Sequence, residues 1–85
     1  MRMKITTHKN SKTGLEQVLV SEGRDCIRFN IWIKDDKWVG ESVGLIDGEE
    51  IILLPCDTRE ELIRILELIA EKYFEKLFEN FKKTN

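Results

Sequence analysis

The 85-residue sequence contains one proline, two cysteines and one histidine, and none of its apolar runs approaches the length of a membrane span. A helix that crosses a bilayer needs about 20 predominantly apolar residues. The first residues, MRMKITTHKN, also lack the apolar stretch of a secretory signal. We therefore predict no membrane partner, and we expect a cytoplasmic location.

The few cysteine and histidine residues argue against a metal centre. Cys26 and Cys56 neighbour apolar strand residues, which favours small buried side chains over a disulfide. With His8 they offer three potential ligands but no closely spaced pair. The sequence shows neither a phosphate-binding glycine loop nor a nucleophile beside a base. We predict no cofactor, no bound metal and no enzymatic activity.

The composition that remains is typical of one small folded domain. Hydrophobic residues make up 41% of the chain and charged residues 35%, which excludes the usual composition of a disordered protein. The net charge is −2, so any attraction for nucleic acid has to come from a local patch. The abundance of Lys, Glu and Ile resembles that of proteins from thermophiles.

Alternating apolar and polar residues predict strands over most of the first 55 positions. Residues 1–14 form a basic arm or an edge strand, and residues 15–55 an antiparallel sheet, which gives four or five strands in total. Gly40 and Gly44 favour a bend in the strand that contains them, because glycine permits bending and close backbone approach. We therefore predict a curved sheet.

A hairpin around Asp35-Asp36 determines which aromatic residues share a face. With a two-residue turn Trp32 faces Val39, whereas with a three-residue turn Trp38 joins Trp32 on one side. We favour the longer turn because the two aspartates lack the glycine that tight primed turns prefer.

The last predicted element is a helix over residues 58–83. Thr58 and Glu61 form a capping box at its start. The helix is about 37 Å long at 1.5 Å per residue, which is longer than a six-residue strand can cover. Its second half carries an apolar surface that we predict to form a homo-oligomer interface, in a dimer or tetramer, through Ala70, Phe74, Leu77, Phe78 and Phe81. The alternative is that this half folds back onto its own subunit.

Trp32 is the strongest functional signal in the sequence. It lies on the polar side of its strand, and Arg28 and Lys34 point the same way. An exposed aromatic ring can stack on the bases of single-stranded nucleic acid while cations contact the phosphates. Alternatively, Trp32 covers a second core layer or lies under the helix, and Phe29 and Trp38 supply the aromatic face instead.

Curved antiparallel strands with interleaved aromatic and basic residues, followed by a capped helix, resemble the ThermoDBP-related single-stranded DNA-binding proteins of archaea. The layout is also similar to the PC4-like coactivator domain. The resemblance implies a cleft that binds single strands with little sequence preference, and assembly through the terminal helix. The positions that it implies for stacking are Phe29, Trp32 and Trp38, and those for phosphate contacts are Arg24, Arg28, Lys34 and Lys37.

From the sequence we therefore expect an α+β domain that binds single-stranded DNA, with RNA as a further ligand class. Binding without catalysis follows from the absence of a catalytic constellation and from the aromatic and basic residues around Trp32. The alternative is a protein–protein interaction or transcription-regulatory module that self-associates through its C-terminal helix.

Overall fold

The computed structural model describes residues 3–83, and the side chains of residues 3–79. Five strands precede one helix: β1 Lys4–Lys9, β2 Glu16–Glu22, β3 Asp25–Lys34, β4 Lys37–Ser42, β5 Ile52–Cys56 and α1 Arg59–Lys83. The strands form an antiparallel sheet in the order of the sequence. The predicted α+β class, with four or five strands and one long helix, is confirmed, and the first segment is an edge strand.

Alternating side chains give the sheet one apolar face, which α1 covers. The register places Val18 opposite Phe29 and Val20 opposite Ile27, and all four side chains are buried. β-Branched and aromatic residues pack well on such a half-buried pleated surface. The helix contacts β2, β4 and β5 and completes the core.

The start and the buried stripe of α1 follow from its sequence. The backbone N–H of Glu61 donates to Thr58 Oγ1 at 3.1 Å, which confirms Thr58 as the residue that caps the helix. Apolar residues then recur every fourth position on one side of the helix. The fully or almost fully buried members of this stripe are Leu62, Leu66, Ala70 and Phe74.

Part of the far half of α1 is buried within its own subunit. Ile46, in the loop between β4 and β5, is buried in the same core as Ala70 and Phe74. The same loop is tied to the helix by an ion pair between Asp47 and Lys76. The prediction that Ala70 and Phe74 contact a second copy is therefore corrected, because both side chains lie inside the subunit.

The turn between β3 and β4 contains two residues, Asp35 and Asp36. Lys34 pairs with Lys37, and the two aspartates have φ angles of 51° and 63°. Both therefore adopt the left-handed conformation of a type I′ turn, which aspartate tolerates better than most residues. The prediction of a three-residue turn was wrong, and Trp32 faces Val39.

Gly40 permits a close approach between β4 and its neighbours. A Cβ atom at this position would lie 2.8 Å from the backbone oxygen of Asn30 and 2.9 Å from Cγ2 of Ile31. Ile31 is the direct cross-strand partner of Gly40, so any side chain here would collide with the core. Gly44 lies beyond the end of β4, with a φ of 81°, and belongs to the loop rather than to the strand.

One ion pair joins the start of β2 to the start of α1. Arg59 Nε donates to Glu16 Oε1 at 3.0 Å, and Arg59 Nη2 donates to Glu16 Oε2. Glu16 is buried, and its hydrogen bond to Arg59 lowers the pKa of its carboxyl group. Two parallel charge-assisted bonds fix geometry as well as charge, so this pair sets where the helix begins its path over the sheet.

Replacing Glu16 with Gln is expected to lower the free energy of unfolding at pH 7 by about 1–3 kcal/mol, because two hydrogen bonds to a charged group are weakened. Since the pKa of Glu16 is lowered in the folded protein, its contribution is present above the ordinary value of 4.5 and is lost as the pH falls through the folded pKa. Urea denaturation as a function of pH measures this effect.

The matched control is Glu50→Gln, which removes the same charge from an exposed residue in the β4–β5 loop. Its effect at pH 7 should stay within about 0.5 kcal/mol. If Glu16→Gln and the wild-type protein lost stability equally between neutral and acidic pH, the ion pair would not carry this part of the stability.

Candidate functional site on the open sheet face

The face of the sheet opposite α1 is not covered by any element that the structure describes. We call it the open face. On β3 it is formed by the alternate residues Cys26, Arg28, Asn30, Trp32 and Lys34, since the residues between them point to the core. The cross-strand partners of these five residues continue the face on the other strands.

Three neighbouring rows of side chains cross the open face near the β3–β4 hairpin. The cation row pairs Lys34 with Lys37, and the stacking row pairs Trp32 with Val39. The third row, which we call the polar row, runs across four strands with direct cross-strand partners. Its members are His8, Gln17, Asn30 and Glu41. Rows on one face are about 7 Å apart, so cations, an aromatic ring and hydrogen-bonding groups lie in sequence along β3.

Trp32 is half-buried and lines a shallow depression of about 480 Å³ on the open face. The depression has apolar walls from Val39, Ile52 and Leu54, and Lys34 also lines it. A volume of this size lies within the range of roughly 300–1,000 Å³ that is usual for small-ligand sites. The arrangement offers a flat aromatic surface with apolar neighbours and an adjacent cation.

An irregularity in the β4–β5 pairing shapes the outer wall of the depression. Trp38 pairs with Cys56 and Gly40 with Leu53, so two residues of β5 lie opposite Val39 alone. Such a bulge, at the edge of a sheet, changes the direction in which the nearby side chains point. Beside it, the side chains of Ile52 and Leu54 remain 74% and 79% exposed, although both are large and apolar.

The charge on the open face is opposite in sign to that of the whole chain. Among the described strand residues that point to this face, the cations are Lys4, Arg28, Lys34 and Lys37, and the one carboxylate is Glu41. Lys37 forms an exposed ion pair with Asp57, and this hydrogen bond raises the pKa of the lysine. Arg28 and Lys34 form no ion pair within the described part of the chain.

Two of the predicted stacking residues lie on the wrong face of the sheet. Phe29 is 0% exposed in the centre of the core, and Trp38 packs against the core on the helix side. Neither ring can receive a base on the open face, so the prediction for both is corrected. For Trp38 the cause is the two-residue turn, which places it opposite Ile33 rather than beside Trp32. Phe29 points to the core because it alternates with Arg28 and Asn30 along β3, whatever the length of the turn.

The structure brings only part of the predicted phosphate-binding set together. Arg28, Lys34 and Lys37 share the open face with Trp32. Arg24 is exposed in the turn between β2 and β3, about 33 Å along β3 from Lys34 at 3.3 Å per residue. It therefore lies outside the cluster around Trp32.

The site also contains residues that the sequence analysis did not select. Val39, Ile52 and Leu54 form its apolar walls, and Glu41 lines the same depression. Val39 could have been found from a two-residue turn, because that register places it opposite Trp32. The run IILLP contains no alternation, so it gives no signal about which side chains of β5 face outward.

The fold and the site together define a class: a small α+β domain with a five-stranded antiparallel meander, one C-terminal helix and an uncovered, locally cationic sheet face. The chain matches no protein-family model, no curated protein and no solved structure at a significant level. Within residues 3–83, no helix is long and apolar enough to cross a membrane. The same residues contain no group of three or more His, Cys, Asp or Glu side chains arranged to hold a metal ion.

Proposed function

We propose that the protein binds single-stranded DNA on its open face with little dependence on sequence, and that single-stranded RNA is a further ligand of the same site. The observation that carries this proposal is the position of Trp32, half-buried on an uncovered face beside Lys34. A base stacked on an exposed aromatic side chain contributes about 1–3 kcal/mol, and every base has a face that can stack.

The rows of the open face support a single strand rather than a duplex as the ligand. In a duplex the faces of the bases are stacked on one another, so Trp32 could reach them only after unpairing. In a single strand the bases can turn toward the sheet while the phosphates follow the cations. Lys34 lies next to Trp32 on one side along β3, and Arg28 lies two rows away on the other side.

Replacing Trp32 with Ala is expected to weaken the binding of a labelled oligothymidylate by about 5- to 150-fold, which corresponds to the loss of one stacked base. Fluorescence anisotropy titration of DNA and RNA strands measures this change. The matched control is Trp38→Phe, which alters the other tryptophan on the helix side of the sheet and should leave the affinity unchanged. Equal affinity of wild type and Trp32→Ala would remove Trp32 from the site.

Binding is expected to weaken as the salt concentration rises, because each neutralised phosphate of a single strand contributes about −0.7 to the slope of log K against log salt. Lys34→Ala and Arg28→Ala should each make this slope shallower by about that amount. The control is Lys72→Ala, since Lys72 is exposed on α1. A slope that neither open-face variant changes would mean that these cations do not contact phosphates.

The protein–protein interaction alternative is favoured by one observation. Ile52 and Leu54 are exposed on β5, whose outer edge has no strand partner within the described residues. An exposed edge strand with apolar side chains is a template for pairing with another chain. The Trp32→Ala titration separates the two functions, because a module that binds only proteins would show no measurable affinity for single strands.

Self-association through α1 stays a prediction, on a smaller set of residues. Ala70 and Phe74 are in the core, Leu77 packs partly against it, and Phe78 is 59% exposed. The side chain of Phe81 lies outside the described residues. Sedimentation equilibrium of the whole chain and of a Phe78→Glu variant tests self-association. A dimer or tetramer that the substitution dissociates supports self-association through α1, and a monomeric wild-type protein contradicts it.

A further inference from the structure

Glu41 occupies an unexpected position for a protein that binds a polyanion. It is the one carboxylate among the described strand residues of the open face, and it lines the same depression as Trp32, as does Asp35 of the β3–β4 turn. A carboxylate repels phosphate, so it weakens backbone contacts at this place. Because Glu41 lies next to an aromatic side chain on which a base can stack, its position suits a contact with the base better than a contact with the phosphate.

The register defines the relation between Glu41 and Trp32. Trp32 faces Val39 across the β3–β4 hairpin, and Glu41 follows two residues later on the same face. Glu41 is therefore the diagonal cross-strand neighbour of Trp32, at a separation of roughly 7–8 Å between the backbones. Asn30 lies directly opposite Glu41. A base centred on the indole ring can thus direct its hydrogen-bonding edge toward this pair while its phosphate lies near Lys34.

The acceptor capacity of Glu41 is unused among the residues that the structure describes. No ion pair or hydrogen bond joins its side chain to another described residue. An ionised carboxylate has two oxygen atoms and accepts hydrogen bonds without donating any. The side chains of Val39, Ile52 and Leu54 line the depression beside it, so no other described acceptor separates Glu41 from a base stacked on Trp32 along this wall.

The four bases differ in what their Watson–Crick edges offer to such a carboxylate. Guanine presents two adjacent donors, N1–H and the 2-amino group, which match the two oxygens of one carboxylate. Cytosine and adenine present one amino group beside a ring nitrogen that only accepts. Thymine and uracil present one N–H between two carbonyl oxygens, and both oxygens repel the carboxylate. Charged bidentate pairs are the strongest of these arrangements.

We propose that Glu41 accepts two hydrogen bonds from the edge of a guanine stacked on Trp32, so that the site favours guanine over thymine or uracil at one nucleotide. This proposal rests on the single-strand binding proposed above. It adds a base preference at one nucleotide to binding that is otherwise independent of sequence. Such a preference is compatible with stacking, because the edge of an unpaired base can form hydrogen bonds while its face stacks on an aromatic ring.

The test uses three labelled strands: an oligothymidylate, the same strand with one central guanosine, and the same strand with inosine there. Inosine keeps N1–H but lacks the 2-amino group. The wild-type protein is expected to bind the guanosine strand at least about fivefold more tightly than oligothymidylate, the lower end of the discrimination that a bidentate contact provides. The inosine strand should fall between the two.

In Glu41→Gln and Glu41→Ala the guanosine preference is expected to disappear, while the affinity for oligothymidylate stays equal or rises because a negative charge has been removed. Glu75→Gln is the matched control, since it removes the same charge from an exposed position on α1 and should retain the preference. Circular dichroism of each variant checks that the fold is intact.

The outcomes separate the two proposals. Equal binding of the guanosine and thymidine strands by the wild-type protein overturns the role of Glu41, as does a preference that both Glu41 variants retain. Equal binding of guanosine and inosine overturns the two-bond contact. In these cases the proposed function still stands if Trp32→Ala weakens binding to every strand. Absence of binding to all three strands at low salt overturns the proposed function itself.

Discussion

The register of the β3–β4 hairpin is the constraint on which the open face depends. Side chains alternate along a strand, so a shift of one residue would move every side chain of β4 to the other face. The two left-handed aspartates of the turn fix this register by pairing Lys34 with Lys37. As a result Trp32, Lys34 and Lys37 share one face, and Trp38 packs against the core.

The position of α1 determines which face stays open. The ion pair between Glu16 and Arg59 joins the start of the helix to β2, and the loop residue Ile46 is buried in the same core as Ala70 and Phe74 of its second half. Both contacts lie on the same side of the sheet as Phe29. On that side the described residues build the core within one subunit, whereas Ile52 and Leu54 on the other side remain exposed.

Most of the fold could be predicted from local patterns, whereas the site could be predicted only in part. The strand periodicity before position 55 and the capping box at Thr58 are local signals, and both elements form as expected. The faces of Trp32 and Trp38 depend on a turn whose length the sequence leaves open, because two adjacent aspartates fit either loop. The apolar run of β5 carries no alternation, so only its pairing with β4 shows that Ile52 and Leu54 point outward.

The distribution of charge explains how an acidic chain can present a cationic surface. Most carboxylates of the described residues lie in turns, in the β4–β5 loop and along α1, although Asp35 of the β3–β4 turn lines the depression beside Trp32. Interactions between exposed charges decay over about 8–10 Å at physiological salt, which is shorter than the 48 Å length of the molecule. A ligand on the open face therefore responds to Arg28 and Lys34 more than to the net charge. By the same argument Glu41 and Asp35, which line the depression beside Trp32, act on that ligand more strongly than the distant carboxylates do.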